Sequence, residues 1–222
     1  PPRPLRQRRR RYRRQCPGET KGISEEMRFV AMKLRNKLNT KEEEEEGKLW
    51  EATMEGLLKY LVDSRLVFST IERIVDESSD VSLVYLRNTG LERCASISMD
   101  LQRLSVKGND IPAASSPGTT YAQYLEAIAG KSPPLFLCHL YNIYFSHIAA
   151  SQAIAKQVSK QLLEGKEMES FKWEGDAEES LREVRQKLNA IAEHWSREEK
   201  NKCLREATKA YRFLGQIVRL IV

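Results

Sequence analysis

The 222-residue chain is long enough for one large domain or two small ones with a sizeable core. It carries 37 Lys and Arg residues against 31 Asp and Glu, a net charge of +6, but eight of the arginines and no acid fall within residues 1–14. Without that segment, 29 basic side chains face 31 acidic ones, a net charge of −2. The positive charge that would suggest a nucleic-acid partner therefore belongs to the tail, and no such partner is expected for the body.

Composition excludes several other classes. A hydrophobic content of 41% is too high for a disordered chain, and no apolar run approaches the roughly 18–20 residues that span a bilayer, so no membrane association is expected. The cysteines are widely spaced, with no CxxC pair, at positions 16, 94, 138 and 203. We therefore expect neither a disulfide scaffold nor a structural metal. A protein with such cysteines is expected in a reducing compartment.

Residues 1–16 form an Arg- and Pro-rich segment, and the chain starts without an initiator Met, so a processed or truncated start is expected. Three interpretations of this segment stay open on composition: the remnant of an organelle transit peptide, a nucleic-acid-binding arm, or a nuclear signal.

Proline placement indicates helices. No proline occurs in residues 18–111 or 135–222, stretches of 94 and 88 residues. Apolar spacing predicts, in chain order, a helix beginning just after Pro17-Gly18 and an acidic loop over 39–48. Two helices follow, over 50–61 and 66–75, then a turn at 88–90, a helix over 91–104, a loop over 108–118 and a short helix over 121–129.

The longest predicted helix opens at Pro133-Pro134 and runs to about Leu163, where Glu164-Gly165 ends it. It is apolar nearly all round, so it should be central. Two more helices follow, over 176–195 and 196–221, the second with a capping box at Ser196 and Glu199. With no period-two segment, the chain from 17 to 222 is predicted to be a single all-α domain.

Motifs of many familiar active sites are missing, including phosphate loops and zinc-protease histidine pairs. His139 and His147 are eight apart on one helix, a spacing that does not form a chelate. We interpret His139 as a packed core residue and His194 as a helix-end or surface residue. Small residues at 149–151 of the long helix allow close approach either of another helix or of a flat ligand.

Several segments together resemble the plant heme oxygenases: PGETKGISEEMRFVAMKLR (17–35), YLVDSRLVFSTIERIV (60–75), NTGLERC (88–94), YNIYFSHIA (141–149), VRQKLN (184–189) and EEKNKCL (198–204). The resemblance covers 17–222 in order. It implies an all-α, single-domain, monomeric fold in which a proximal and a distal helix enclose a porphyrin slot. It also implies oxidation of heme to biliverdin, CO and ferrous iron with reduced ferredoxin, in the plastid stroma and without a membrane anchor. On this resemblance, residues 1–16 become a transit-peptide remnant or disordered tail.

The resemblance places the proximal helix over Glu19 to about Leu38 and the family's iron-ligating histidine at Arg35. An arginine there, followed by an acidic spacer, is closest to the divergent second class of plant heme oxygenases, often regarded as inactive. A guanidinium has donors but no acceptor and cannot ligate iron, and no metal ligand is expected beyond Met32 as a weak candidate. We expect Arg35 to point outward, to meet a carboxylate or to engage a porphyrin propionate.

On the distal side, the family's two adjacent glycines correspond to Ala150 and Ser151, whose extra atoms should narrow the oxygen pocket. His147 matches the distal polar residue of the plant enzymes. Arg28 and Arg185 match the cations that meet the heme propionates, and an arginine–carboxylate pair is charge-assisted.

The resemblance leads to a main hypothesis and two alternatives. The main one is a pseudoenzyme that binds heme or protoporphyrin weakly and regulates tetrapyrrole or phytochrome-chromophore metabolism, with ferredoxin or an active heme oxygenase as expected protein partners. One alternative is a slow ferredoxin-dependent heme oxygenase. The other is a helical interaction module with an RNA-binding basic arm.

Overall fold

The computed structural model describes residues 14–42 and 51–221, including their side chains except those of 35–42. Eight α-helices are present in these ranges: α1 Ile23–Glu42, α2 Met54–Glu77, α3 Val81–Val84, α4 Cys94–Val106, α5 Ser116–Ala129, α6 Pro133–Leu162, α7 Ala177–Ala192 and α8 Arg197–Val218. Short 3₁₀ turns lie at Glu19–Lys21, Glu169–Phe171 and Arg219–Ile221. The described residues contain no strand, and the prediction of an all-α fold is confirmed.

Helix α6 is the central element, as its apolar sequence predicts. It starts at Pro133, where a proline fits the first turn of a helix, and it ends before two residues with positive φ, Glu164 at 54° and Gly165 at 83°. Its Phe136 and Leu137 are completely buried. It packs most extensively against α8 and also contacts α5 and α7, so residues on its different faces reach several neighbours.

Several elements differ from the sequence prediction. Helix α1 begins at Ile23 rather than at Glu19, because Gly22 has a positive φ and Glu19–Lys21 form a 3₁₀ turn before it. Residues 54–77 form one helix rather than two, because no proline or glycine interrupts them after Gly56. Helix α1 continues past Leu38 to Glu42, since the intervening residues include good helix formers, so the first four residues of the predicted acidic loop are helical. Helix α5 starts inside the predicted 108–118 loop, and α3 was not predicted. The rest of the acidic loop, and residues 1–13 of the tail, lie outside the described residues.

Three carboxylates, the buried Asp63 and Asp100 and the half-buried Glu72, hold the starts of later elements. Asp63 of α2 accepts backbone N–H groups at the first turn of α5, and Glu72 accepts those at the start of α4. Asp100 of α4 accepts the N–H groups of the 169–171 turn. The first N–H groups of a helix lack partners within it, so these carboxylates satisfy the helix starts and join distant elements at once.

The end of the described chain packs on the start of α2. The Thr53 N–H donates to the Ile221 carbonyl at 3.4 Å. A Cβ atom on Gly56 would lie 2.5 Å from the Leu220 carbonyl oxygen and 2.6 Å from that of Ile221, so only glycine permits this approach. Residues 51–221 therefore form a helical body whose two ends touch.

Candidate functional site: a cleft between the first and sixth helices

A cleft of about 350 Å³ lies between α1 on one side and α6, α7 and α8 on the other. Its walls are mostly apolar or aromatic, with two arginines, one glutamate and a few smaller polar groups: Ser24, Glu25, Met27, Arg28, Ala31, Met32, Tyr141, Asn142, Phe145, Arg185 and Tyr211. A concave, largely apolar surface with a few polar groups suits a flat ligand that has an apolar body and charged substituents.

Helix α1 is held in place by contacts in its first two turns. Glu26, only 2% exposed, accepts two hydrogen bonds from Arg197 at 3.0 and 2.6 Å, a bidentate pair that links α1 to α8. The Ser24 N–H donates to the Asn189 side-chain oxygen of α7 at 2.9 Å. Ile23 and Met27 are buried in the core. These anchors leave Arg28 and Met32 of α1 facing the cleft.

The two arginines expected to meet ligand carboxylates line the same cleft. Arg28 projects from α1 with its side chain 54% exposed. Arg185 comes from α7, and its Nε donates to the Tyr141 hydroxyl of α6 at 2.9 Å. The structure thus brings together cations that are 157 positions apart in the sequence, and their role toward a propionate stays a prediction.

The described side chains of α1 include no imidazole and no thiol, and its two methionines are engaged by other groups. Residues 23–42 contain no histidine or cysteine. The Met27 sulfur is buried 4.0 Å from the Cys203 sulfur, and the Met32 sulfur accepts a hydrogen bond from Arg28 at 3.2 Å. Arg35 lies on α1, one turn beyond Met32, and the orientation of its side chain lies outside the described residues.

The segment predicted to lie on the distal side borders a small cavity. A second cavity, of about 30 Å³, lies beside α6 and is lined by Ala150 and Ser146, with Leu214 and Val218 of α8 among its other walls. Such a volume holds about one or two water molecules. Ser151 is buried, and its hydroxyl donates to the Ile148 carbonyl of its own helix at 2.7 Å, so that donor is turned back on α6. The predicted effect of these residues on an oxygen pocket stays a prediction.

His147 is buried among aromatic rings and borders the small cavity. Its Nε2 donates to the Ser170 carbonyl at 2.9 Å, and its ring packs against Phe68, Phe171 and Trp173. Burial lowers the pKa of His147 to about 4, an effect to which the charge of Arg93 adds and which the bond to Ser170 opposes. The imidazole is therefore neutral near pH 7, and its Nε2 proton is committed to a protein carbonyl.

The other two histidines are placed as the sequence predicted. His139 is fully buried, with its Nδ1 2.7 Å from the Tyr121 hydroxyl and its Nε2 2.9 Å from Glu206. Burial opposes the charge of Glu206, but bonds from His139 and Tyr124 hold its pKa below the ordinary value. His194 is exposed just after α7. Neither histidine lines the cleft.

The described parts of the chain contain no cluster of three or more His, Cys, Asp or Glu residues that could hold a metal ion. None of the helices in those parts is both long and apolar enough to cross a bilayer.

Comparison with known proteins identifies the family. The heme oxygenase family model matches residues 51–220, which is most of the chain. The chain belongs to the heme oxygenase family.

Two curated relatives from Arabidopsis thaliana illustrate its position within the family. A protein named "Probable inactive heme oxygenase 2, chloroplastic" is 55% identical, and the alignment covers 96% of this chain and 79% of the relative. "Heme oxygenase 1, chloroplastic" is 46% identical, with 96% and 78% covered. The resemblance inferred from the sequence motifs is confirmed.

A solved structure supports the fold independently. The heme oxygenase-1 of the cyanobacterium Synechocystis, crystallised in complex with heme, superposes with a TM-score of 0.62 at 18% identity, covering 73% of this chain and 75% of that one. At this identity the likeness concerns the heme oxygenase fold.

Sequence reasoning missed several residues of the cleft. Glu25 stands three positions before Arg28, the spacing at which helical side chains meet, and this signal was available. Tyr141 and Phe145 share one face of α6 at a spacing of four, which could have been read from the quoted motif. Nothing in the sequence indicated that Tyr211 of α8 would complete the wall.

Proposed function

We propose that this heme oxygenase-family protein binds a dicarboxylic tetrapyrrole, heme or protoporphyrin, weakly in the cleft between α1 and α6 and does not turn it over. The observation that carries the proposal is the cleft itself, which has an apolar wall, two guanidinium groups at its lining and no imidazole on the helix that faces α6. The residues present suit the macrocycle and its carboxylates but supply no iron ligand.

The absence of turnover follows from the chemistry of the side chains. A neutral imidazole offers iron a nitrogen lone pair, whereas a guanidinium at position 35 offers none. The Met32 sulfur already accepts a hydrogen bond from Arg28, which supports the view that it does not ligate iron. Ala150 lines a small cavity that shares no residue with the cleft, so its effect on an oxygen pocket rests on the family resemblance alone.

The names of the relatives support the location. Two relatives that align over most of this chain are named chloroplastic, which supports a site of action in the chloroplast. We place the protein in the stroma as part of the proposal. There the protein regulates tetrapyrrole or phytochrome-chromophore metabolism by sequestering a porphyrin or by contacting ferredoxin or an active heme oxygenase.

The test is a pair of titrations followed by a turnover assay. Hemin and metal-free protoporphyrin are titrated into the purified full chain, and we expect both to bind. Bound hemin should not show the sharp spectrum of an axially ligated iron. Arg28→Gln and Arg185→Gln should each weaken binding by about three- to tenfold, as expected for a partly exposed guanidinium–carboxylate pair. Arg182→Gln is the matched control, since Arg182 lies on α7 one turn before Arg185, is 61% exposed and does not line the cleft.

Turnover separates this proposal from the slow-enzyme alternative. With hemin and reduced ferredoxin, the wild-type chain should form no biliverdin. Biliverdin from the wild-type chain would establish the alternative instead. Arg35→His should restore an axial imidazole spectrum, and restored ligation without turnover would identify Ala150 and Ser151 as a second obstacle.

A further inference from the structure

Arg28 already has a partner on its own helix. Its Nε and Nη2 both donate to one carboxylate oxygen of Glu25, at 3.0 and 2.7 Å, and its Nη1 donates to the Met32 sulfur at 3.2 Å. Glu25 is 23% exposed and lines the cleft beside Arg28. Three of the five N–H donors of the guanidinium are therefore used before any ligand arrives, and both donors on its Nε–Nη2 edge go to Glu25.

Glu25 is held in its charged form. The hydrogen bond from Arg28 keeps the pKa of Glu25 below its ordinary value, and the positive charges of Lys21 and Arg185 act in the same direction. Burial acts against this but is outweighed. A carboxylate of the protein thus occupies the position at Arg28 where a ligand carboxylate would bind.

The charges along the described cleft lining decide what can bind there. While Glu25 stays paired with Arg28, only Arg185 is a cation without a carboxylate partner in the cleft lining. When Glu25 turns away, Arg28 and Arg185 are both available to ligand carboxylates. The first state matches a ligand with one carboxylate near Arg185, and the second matches a ligand with two.

We propose that Glu25 is an internal counter-ion that competes with the ligand for Arg28 and so sets the affinity of the cleft for dicarboxylic tetrapyrroles. A ligand whose second carboxylate binds the Nε–Nη2 edge of Arg28 must displace Glu25, and this exchange weakens binding. Glu25 is a specificity-determining residue of the site, and this role rests on the proposed function of the cleft.

The experiment compares protoporphyrin, which has two free carboxylates, with its dimethyl ester, which has none. Glu25→Gln removes the competing charge and should tighten binding of the diacid by about three- to fivefold, the strength of a partly exposed ion pair, while binding of the diester stays unchanged. Glu25→Asp keeps the charge but shortens the side chain by one methylene, which lengthens both bonds to Arg28, so it should also tighten diacid binding. Glu55→Gln is the control, because Glu55 forms a similar surface pair with Lys59 on α2, outside the cleft.

Each outcome decides the matter. Tightening by both Gln and Asp supports competition at Arg28. Tighter binding by Glu25→Gln alone would show a general effect of charge. Unchanged or weaker binding by Glu25→Gln would show that Glu25 instead positions Arg28 for the ligand. Either result overturns the proposal, while porphyrin binding by the wild-type chain still stands. If no variant binds protoporphyrin and the wild-type chain does not either, the proposed function fails and this inference fails with it.

Discussion

Both carboxylate oxygens of Glu26 accept hydrogen bonds from the guanidinium of Arg197, so the helix that forms one wall of the cleft is joined to the helix that closes its far side. Glu26 is nearly inaccessible to solvent and Arg197 is 21% exposed. The pair also orients α1 immediately before Arg28, so the geometry of the cleft depends on it.

Arg197→Met should lower the free energy of unfolding by about 2–3 kcal/mol, because it leaves a buried carboxylate without its partner. Urea denaturation followed by circular dichroism measures this change. Arg182→Met is the matched control, since its pair with Glu179 has both side chains 61% exposed and a separation of 3.8 Å, and it should cost less than about 0.5 kcal/mol. Equal losses in the two variants would show that the Glu26 pair has no special role.

The lowered pKa of His147 predicts that the protein loses stability in mild acid. The unfolded chain takes up a proton near pH 6.5, whereas folded His147 does so only near pH 4, so stability present above pH 6.5 is lost as the pH falls toward 4. Between pH 7 and pH 5 the loss due to this residue is about 2 kcal/mol. Urea titrations at the two pH values should show that His147→Gln removes this part of the pH dependence, whatever its effect on stability at pH 7.

His194→Gln serves as the comparison, because that histidine is exposed and lies outside the core. Its substitution should leave the difference between pH 7 and pH 5 in place. A wild-type chain and a His147→Gln variant with the same pH dependence would contradict the prediction.

The cysteines should divide into two classes by reactivity. Cys138 and Cys203 are completely buried and face each other within hydrogen-bonding reach, and contact with the neighbouring thiol together with burial raises the pKa of Cys138 well above its ordinary value. Cys16 and Cys94 are half-buried. A chromogenic disulfide reagent should label Cys16 and Cys94 in the native protein because they are accessible, with Cys94 slowed because burial raises its pKa, and it should label Cys138 and Cys203 only after denaturation. Rapid labelling of Cys138 in the native chain, located by peptide mass spectrometry, would argue against the packing of α6 on α8 described above.

Gly118→Ala tests the contact between α2 and the first turn of α5. A Cβ atom at position 118 would lie 2.6 Å from the carboxyl carbon of Asp63 and 2.9 Å from its backbone Cα, so one of the two helices must shift. We expect a loss of about 2–4 kcal/mol in the free energy of unfolding, measured by urea denaturation. Gly130→Ala is matched to it, because nothing lies within 4 Å of its added Cβ and its φ of −81° suits alanine; its effect should stay within about 0.5 kcal/mol. A loss of the same size at Gly130 would mean that the Asp63 contact is not the cause.

The sequence was most informative where a boundary has a chemical cause within a few residues. Pro133 and Gly165 fixed the limits of α6, and the capping box at Ser196 and Glu199 is present as predicted. The split predicted within 54–77 was wrong, because a change in apolar spacing was interpreted as an interruption although no helix-breaking residue is there. Helix α3 is too short for a periodic signal.

The site was predictable only in part for a related reason. The resemblance to plant heme oxygenases singled out Arg28 and Arg185, and the structure places both in one cleft. The three-residue spacing of Glu25 and Arg28 was a sequence signal for their pair. Nothing indicated that Tyr141 holds Arg185, since that contact joins two helices and residues 44 positions apart. The sequence also did not reveal that His147 is neutral and hydrogen-bonded. The Ser170 carbonyl that accepts its hydrogen bond lies in a turn that Asp100 of another helix holds in place.

The contact between Thr53 and Ile221 has a consequence for how the protein can change over evolutionary time. Residues 51–221 close on themselves, and α1 is anchored to that body by Ile23 and Glu26, neither of which lines the cleft. These two anchoring residues and the two charged cleft residues of α1, Glu25 and Arg28, are thus different side chains of one helix. Under the proposed function, exchanging the side chain at position 35 changes what the chain offers to iron and leaves the two anchors of α1, Ile23 and Glu26, untouched.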